Sequence, residues 1–232
     1  MVEVKWLGRV PYAQAWDLQR NLVAEKRERA LADQLLLLEH DPVYTLGRSG
    51  QEKNLLLDEV ARRQAEIDLY WVDRGGDVTY HGPGQLVGYP ILDIKEIHKA
   101  HGLPRPDLHL YLRQLEAVLI KTLAAYDLSG RRYAGYTGVW VDTPAGPRKI
   151  AAIGVKVNAR GITSHGFALN IDPDLGHFAG IIPCGIAEHG VTSMARLINR
   201  SLTLADVLPV VVKAFAGVFQ VETRFVTPLI YA

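Results

Sequence analysis

The sequence predicts an α+β (mixed α/β) fold, with strands and helices in separate stretches of a single domain spanning residues 1–232. Two patterns carry this prediction. Leucines recur at helical spacing after Pro106, whereas from Gly138 onward the apolar residues recur every second position, as in antiparallel strands. The chain contains no internal repeat, low-complexity tract or linker, and this supports one domain.

The first sixty residues are predicted to form strands and two helices. The run 34–39 is apolar without alternation and too short for a helix, which favours a strand covered on both faces. In chain order, the predicted elements are a strand at 2–7, a helix that opens at Pro11, the strand at 34–39 with a partner strand at 43–46, and a short helix capped by Asp58 that ends at Gln64.

The rest of the chain is predicted to add one long helix, an antiparallel meander and a final helix. The leucine stripe of the long helix is predicted to be core, and Pro209 conflicts with a capping box formed by Thr203 and Asp206. The predicted elements are a strand at 69–73, a glycine-rich segment at 74–85, a strand at 86–92, a polar connection at 94–106, a helix from Pro106 to beyond Leu123, strands at 139–141, 150–157 and 165–171, a loop at 172–190 and a helix between Thr203 and Phe219.

Composition excludes several classes of protein. A net charge of +1 argues against a nucleic-acid partner, and no apolar run is long enough to span a membrane. The N-terminus has an early carboxylate and no apolar stretch typical of a signal peptide. A single cysteine excludes an intrachain disulfide and a CxxC motif. We expect a soluble cytoplasmic protein without a membrane partner.

The glycine-rich segment 74–85 is predicted to be the floor of a binding site. It carries four glycines and one proline in twelve residues, so the backbone can approach a ligand closely. Between the glycines stand side chains that donate or accept hydrogen bonds: Arg74, Thr79, Tyr80, His81 and Gln85. The alternative is a mobile surface loop, for which such a density of polar side chains is unusual.

Cys184 and Lys149 are the candidate reactive groups. Cys184 lies between Pro183 and Gly185, which suits a thiol presented to a ligand, although a lone cysteine is often a small buried hydrophobe. A neighbouring cation is the usual means of lowering the pKa of a thiol. Lys149 is the candidate cation and enters an apolar strand 35 residues earlier. The alternatives are that Lys149 is a solvated charge at the strand end and that Arg148, beside it, is the cation.

The histidines give weaker signals. His165 alternates with Phe167 and Leu169 on one strand face, where a histidine is usually a packed core residue; together with His81 it is a candidate for lining an acyl or pantetheine channel. His98, His101 and His109 lack a completing cysteine or carboxylate cluster. They are therefore predicted to be solvated or packing residues, and no metal site is predicted.

Four segments resemble the octanoyl-(acyl carrier protein):protein octanoyltransferase (lipoyl/octanoyl transferase) family. They are the run 74–91, the lysine motif 149–154, the His-Gly-x-Ala-Leu-Asn motif 165–170 and the Pro-Cys-Gly motif 183–185. The resemblance implies the fold of biotin and lipoate protein ligase catalytic domains, with Cys184 as the acyl-thioester nucleophile, Lys149 as its activator and no cofactor. It also implies substrate-binding roles for Arg74, Gly75, Gly76, Asp77, Val78, Thr79, Tyr80, His81, Ala152, Ile153, Gly154, His165, Gly166, Phe167 and Ala168.

The resemblance implies a two-step acyl transfer that begins endogenous protein lipoylation. Octanoyl-acyl carrier protein would be the donor, and the acceptors would be lysines of the lipoyl domains of 2-oxoacid dehydrogenase complexes and of the glycine cleavage H protein. An eight-carbon chain needs a dry slot. The walls expected for it are Val78, Ile153, Phe167 and Leu169.

Three other functions compete with this interpretation. An ATP-dependent lipoate or biotin ligase on the same fold would form an adenylate and would not need Cys184. A non-catalytic protein that binds acyl groups or lipoyl domains would keep the glycine-rich floor and tolerate loss of the thiol. A metallohydrolase is the poorest alternative, because the eight histidines include no helical His-x-x-x-His site.

Overall fold

A large mixed sheet is the framework of the protein. The computed structural model describes residues 1–29, 31–103, 105–185 and 188–226, with the side chains of Arg27, Arg29 and Cys184 outside the description. The strands of the described chain are β1 (Val2–Arg9), β2 (Asp33–Glu39), β3 (Val43–Leu46), β4 (Asp68–Trp71), β5 (Val78–His81), β6 (Gln85–Ile91), β7 (Arg131–Tyr133), β8 (Tyr136–Thr143), β9 (Gly146–Val157), β10 (Thr163–Asn170) and β11 (Thr223–Phe225).

Helices follow the strands without a regular alternation. They are α1 (Tyr12–Arg29), α2 (Glu59–Gln64), α3 (Ile94–Ala100), α4 (Leu108–Ala124), α5 (Met194–Ile198) and α6 (Leu204–Phe219) in the described ranges. The Asp58 side chain accepts a hydrogen bond from the Ala61 N–H and so caps α2, as predicted. In the part of the chain that the structure describes, no helix combines the length and the apolar character that crossing a membrane requires.

Among the described residues, the main sheet has eight strands in the order β11-β1-β2-β6-β10-β9-β8-β7. Strand β1 is parallel to β11 and β2, and the remaining neighbours are antiparallel. The predicted meander is confirmed as β8, β9 and β10. The edge strands β7 and β11 were not predicted, because three residues are too few to show a period.

A second, three-stranded sheet in the order β4-β3-β5 corrects two predictions. Strand β3 does not pair with β2 but lies between β4 and β5. The glycine-rich segment 74–85, for which no strand was predicted, contains β5. Tyr44 and Tyr80 from this sheet pack with Phe178 in a separate small core, which explains why the apolar run 43–46 leaves the main sheet.

Two helices cover one face of the main sheet and one covers the other. Helices α4 and α6 pack with the largest core cluster, and α1 packs against a smaller cluster on the opposite face. Leu115, Leu119 and Leu123 are fully buried, as the leucine stripe predicts, whereas Leu108 at the helix start is 45% exposed. Helix α4 begins after Asp107, not at Pro106, because the Asp107 side chain accepts the Leu110 N–H.

The capping box of α6 is present in spite of Pro209. Thr203 and Asp206 exchange side-chain and backbone hydrogen bonds at the helix start. Pro209 lies inside the helix, where it removes one backbone donor. The buried residues Val207, Val211 and Phe215 tie this helix to the core, so tertiary packing outweighs the missing hydrogen bond.

The predicted polar connection at 94–106 is wrong for its first half, which forms α3. Asp93 caps this helix by accepting hydrogen bonds from the N–H groups of Lys95 and Glu96. His98 is fully buried, and its Nδ1 accepts the Asp107 N–H at 3.1 Å. The prediction that His98 is a packing residue is confirmed. Pro104 lies outside the described residues.

The close approach of β10 to β6 at Gly166 provides a test of the fold. An added Cβ at Gly166 of β10 would lie 2.1 Å from the carbonyl oxygen of Gly88 on β6. Gly166→Ala is therefore expected to destabilise the protein by about 2 kcal/mol or more, measured by thermal or denaturant unfolding. Gly217 lies at an exposed position of α6, where an added Cβ meets no atom within 4 Å. Gly217→Ala is therefore the matched control and should raise the free energy of unfolding by up to about 1 kcal/mol. A Gly166→Ala protein as stable as the wild type would contradict this packing.

Candidate active site

The main cleft lies between the two sheets, under the start of α1. Its floor comes from β6, β9 and β10, and its other walls come from β5 and the loop before it. The residues that line it are Tyr12, Arg74, Gly76, Asp77, Thr79, His81, Tyr89, Ala152, Ile153, Gly154, His165, Gly166, Phe167 and Ala168. Three of the four motifs of the sequence thus meet around one cavity: the run 74–91, the lysine motif 149–154 and the His-Gly-x-Ala-Leu-Asn motif 165–170.

The loop 74–77 is held to both sheets. The Arg74 guanidinium donates to the carbonyl oxygen of Thr45 at 2.6 Å and to its Oγ1 at 2.8 Å, on the small sheet. The Gly75 N–H donates to the carbonyl oxygen of Val155 on β9 at 2.9 Å. Asp77 accepts hydrogen bonds from the Gln51 N–H and the Asn54 side chain. The loop is therefore an ordered wall.

Alternation along β5 divides the predicted binding residues into two groups. Thr79 and His81 face the cleft, whereas Val78 and Tyr80 face the core of the small sheet. Leu169 likewise faces the main core beneath the sheet. The structure thus places Val78, Tyr80 and Leu169 away from the cleft, because successive strand residues point to opposite faces.

Tyr12 and Tyr89 also line the cleft, although the sequence did not single them out. Tyr12 stands at the first position of α1 and stacks on His81, with ring centroids 6.1 Å apart. Tyr89 shares a sheet face with Ala168, and this follows from the β6–β10 register but not from the sequence. Cross-strand register was the missing information.

A chain of side-chain hydrogen bonds orients His81. Asn170 Nδ2 donates to the carbonyl oxygen of Thr192 at 3.0 Å, so its Oδ1 accepts from Gln85 Nε2 at 2.9 Å. Gln85 Oε1 must then accept from His81 Nδ1 at 2.7 Å. The proton of the neutral His81 ring is on Nδ1, and Nε2 carries the lone pair.

The histidines at the cleft are uncharged. Burial lowers the pKa of His40 to about 4 and lowers the pKa of His81 well below its usual value. The His40 Nδ1–H donates to the carbonyl oxygen of Val10, and its Nε2 accepts from the Tyr89 hydroxyl, both at 2.7 Å. His81 therefore presents a neutral ring to the cleft, and the neutral His40 ring accepts the hydrogen bond of the Tyr89 hydroxyl.

Lys149 lies in a second, smaller cavity, the lysine cavity. It is lined by Thr79, Gln85, Lys149, Ala152, Ala168, Asn170, Phe178, Pro183 and Val191. Thr79, Ala152 and Ala168 line this cavity and the main cleft alike. A molecule that fills the main cleft can therefore place one end beside Lys149.

Lys149 is positioned by its backbone and by an aromatic ring. Its N–H donates to the Gly190 carbonyl and its carbonyl accepts the Thr192 N–H, both at 3.0 Å. The side chain is buried, 6% exposed, and its Nζ lies 5.0 Å from the centre of the Trp140 ring, a cation–π contact. Arg148, the alternative cation, lies instead beside Gly190.

The cysteine segment reaches the same place from the other side. Pro183 to Gly185 form a short 3₁₀ turn, and the Cys184 side chain lies outside what the structure describes. Pro183 lines the lysine cavity, and an added Cβ at Gly185 would lie 3.1 Å from Oδ2 of Asp77. The two sequence neighbours of Cys184 thus lie at the lysine cavity and at the 74–77 loop.

The fold is that of a class of protein, the catalytic domains of lipoate and biotin protein ligases. The bipartite lipoate protein ligase of the archaeon Thermoplasma acidophilum superposes with a TM-score of 0.73 at 16% identity, covering 99% of this chain and 88% of that one. Biotin protein ligase from Aquifex aeolicus, bound to biotin and ATP, gives a TM-score of 0.54 at 14% identity over 94% and 70%. The predicted fold class is confirmed.

The sequence comparisons narrow the class to a family. Residues 11–216 match the family described as the lipoyl protein ligase A/B catalytic domain. The octanoyltransferase of Rubrobacter xylanophilus is 50% identical over 212 residues, which are 91% of this chain and 90% of that protein. This chain belongs to the lipoyl protein ligase A/B family, within its group of octanoyltransferases, and is an acyltransferase.

Proposed function

We propose that residues 1–232 form a single catalytic domain that transfers an octanoyl group from octanoyl-acyl carrier protein to a lysine of lipoyl domains. The acceptors are the lipoyl domains of 2-oxoacid dehydrogenase complexes and the glycine cleavage H protein. One observation carries the proposal. The main cleft shares walls with the cavity that holds Lys149, and Pro183 beside Cys184 lines that cavity. The group name of the sequence relatives supports octanoyl as the acyl group.

The main cleft suits an unbranched acyl chain. Ala152 and Ala168 turn small apolar side chains to the cleft on two neighbouring strands, whereas Ile153 and Phe167 border it with side chains that pack in the main core on the other face of the sheet. Tyr89 donates to His40 and His81 Nδ1 donates to Gln85, so a hydrocarbon beside them leaves these hydrogen bonds intact. An octanoyl chain in the cleft has its carbonyl end at the lysine cavity and its methyl end toward His165.

The reaction proceeds in two steps. The Cys184 thiolate attacks the thioester carbonyl and its sulfur–carbon bond forms, the bond from the carbonyl to the carrier sulfur breaks, and the departing carrier thiolate takes a proton from the Lys149 ammonium. A neutral lysine amine of the lipoyl domain then attacks the octanoyl-enzyme, the amide bond forms and the Cys184 thiolate leaves. Lys149 stabilises the thiolate in the first step. In the second step it accepts the proton that the attacking amine loses. No other reactant is consumed.

A reducing compartment suits this chemistry. The nucleophile is the single cysteine of the sequence, and the reducing environment of the cytoplasm keeps such a thiol reduced. We therefore propose that the enzyme acts in the cytoplasm, where the thiol is available to the donor at each cycle.

The acyl-enzyme is the decisive test of this function. After incubation with octanoyl-acyl carrier protein, intact-mass measurement should find one octanoyl group on the protein, at Cys184. The isolated octanoyl-enzyme should then modify a lipoyl domain without further donor or ATP, and steady-state lines should be parallel when both substrates vary. Intersecting lines, with an acyl-enzyme that cannot pass its octanoyl group on, would contradict the mechanism. Adenylate formation from ATP and octanoate would instead indicate a ligase.

A further inference from the structure

At the end of the main cleft away from the lysine cavity, a polar pair separates the cleft from a third cavity, the outer groove. His165 lines the main cleft, and its Nε2 donates to Asp73 Oδ1 at 2.8 Å. Asp73 lines the outer groove together with Trp16, Gln19, Lys156, Ile162 and Ser164. The Asp73–His165 pair is thus the partition between two spaces on the same face of the sheet.

The partition is held from several sides. Lys156 makes an ion pair with Asp73 Oδ2, and the Gln19 Oε1 accepts the His165 N–H at 2.7 Å. His165 is 2% exposed and takes a left-handed backbone conformation, φ 55°, in the middle of β10. Such a conformation is costly for a side chain with a Cβ and persists where the surroundings demand it.

The distance to the partition matches an octanoyl chain. From Ala168, where the main cleft meets the lysine cavity, to His165 is three residues of one strand, about 10 Å. Eight carbons in extended conformation, at about 1.25 Å per bond along the chain, span about 9 Å. Two further methylenes would add about 2.5 Å and meet the His165 ring.

The partition is also chemically unsuited to hydrocarbon. The hydrogen bond from His165 holds the pKa of Asp73 well below its usual value, and Lys156 acts in the same direction, so the carboxylate is charged. Burial lowers the pKa of His165 despite the opposing effect of Asp73, so the ring is neutral. Among the described residues none makes a hydrogen bond with His165 Nδ1. A methylene pressed against these groups would deny them water at a cost.

We propose that the Asp73–His165 pair is the end wall of the acyl site and sets the upper limit of acyl length at about eight carbons. The inference rests on the proposed function, because it takes the acyl chain to lie in the main cleft with its carbonyl at Lys149. Removing the wall joins the cleft to the outer groove, which then receives the additional carbons of a longer chain.

The test compares acyl lengths in variants of the wall. His165→Gly removes the ring and suits the positive φ, and Asp73→Ala removes the partner from a half-exposed position. Acyl-enzyme formation is measured by intact mass with octanoyl, decanoyl and dodecanoyl thioesters of a small thiol, which removes any effect of carrier docking. We expect the ratio of decanoyl or dodecanoyl to octanoyl rates to rise at least tenfold in both variants. Ser164→Ala, which alters only the outer groove, is the control and should keep the wild-type ratio.

A second measurement separates this inference from the proposed function. Binding of free octanoic, decanoic and dodecanoic acids to a Cys184→Ser protein, with and without His165→Gly, requires no covalent step. The wall predicts that His165→Gly favours the longer acids. Folded variants that keep the wild-type order of lengths in both assays would overturn it. A wild-type protein that forms no acyl-enzyme, while the binding order shifts as expected, would refute the thioester mechanism and leave the wall standing.

Discussion

Replacing Cys184 by serine is expected to lower the octanoyl-transfer rate by at least about 10³-fold and to leave the protein folded. A serine hydroxyl is hardly ionised at neutral pH, so it cannot form the acyl-enzyme at a comparable rate. The fold should survive, because the exchange changes one atom in a short turn outside the main core. Transfer is measured with a lipoyl domain as acceptor.

The single cysteine makes this experiment clean. Any acyl or alkyl group on a thiol of the wild-type protein must be on Cys184, and the serine variant should carry none. Circular dichroism and the melting temperature of the two proteins should agree. Normal turnover by a correctly folded serine variant would eliminate the covalent route and favour direct attack of the acceptor amine on the donor.

Replacing Lys149 by arginine is expected to cost about 10²- to 10⁴-fold in rate, nearly as much as replacing it by alanine. Arginine keeps the positive charge and also packs on an aromatic face such as that of Trp140. It cannot give up its proton in a protein, so it cannot accept one from the attacking amine. Transfer to a lipoyl domain and formation of the acyl-enzyme are measured separately.

The two half-reactions distinguish the roles of Lys149. If it supplies charge and accepts a proton, Lys149→Arg should form acyl-enzyme faster than Lys149→Ala but fail in the transfer to lysine. Lys121→Arg, at an exposed position of α4, is the control for the exchange itself and should match the wild type. High overall activity of Lys149→Arg would rule out base catalysis by this residue.

Local patterns predicted much of the main sheet and the long helices correctly. The period of two from Gly138 reports strands with one buried face, and the leucines of α4 report a helix on a core. The candidate reactive segments were singled out because glycine, proline, lysine and cysteine are unusual in such surroundings and because the segments resemble the motifs of one family. Lys149 lies beside Pro183 because backbone pairing joins β9 to the stretch 190–192. That pairing has no signature in the sequence.

Other features depend on which strands become neighbours, and periodicity carries no such information. The run 43–46 is apolar enough for either sheet, and the small core around Tyr44 and Phe178 decides between them. Once β5 is known to be a strand, its alternation separates Thr79 and His81 from Val78 and Tyr80. The glycines on both sides of β5 obscure the strand pattern in the sequence. The wall at Asp73 and His165 joins residues 92 positions apart.

The chain on the two sides of Cys184 makes backbone hydrogen bonds to different parts of the molecule. At one end, the Ile182 N–H donates to the carbonyl oxygen of Asn54 at 2.8 Å, on the side of the small sheet. At the other end, the Gly190 carbonyl accepts the Lys149 N–H of the main sheet. Of the described residues next to Cys184, Ile182 is thus tied to the side of the small sheet, whereas Lys149 belongs to the main sheet. A change in the spacing of the two sheets would therefore move the backbone at Cys184 relative to Lys149. The spacing of the two sheets thus bears on how far the backbone at Cys184 lies from Lys149, the two candidate reactive residues.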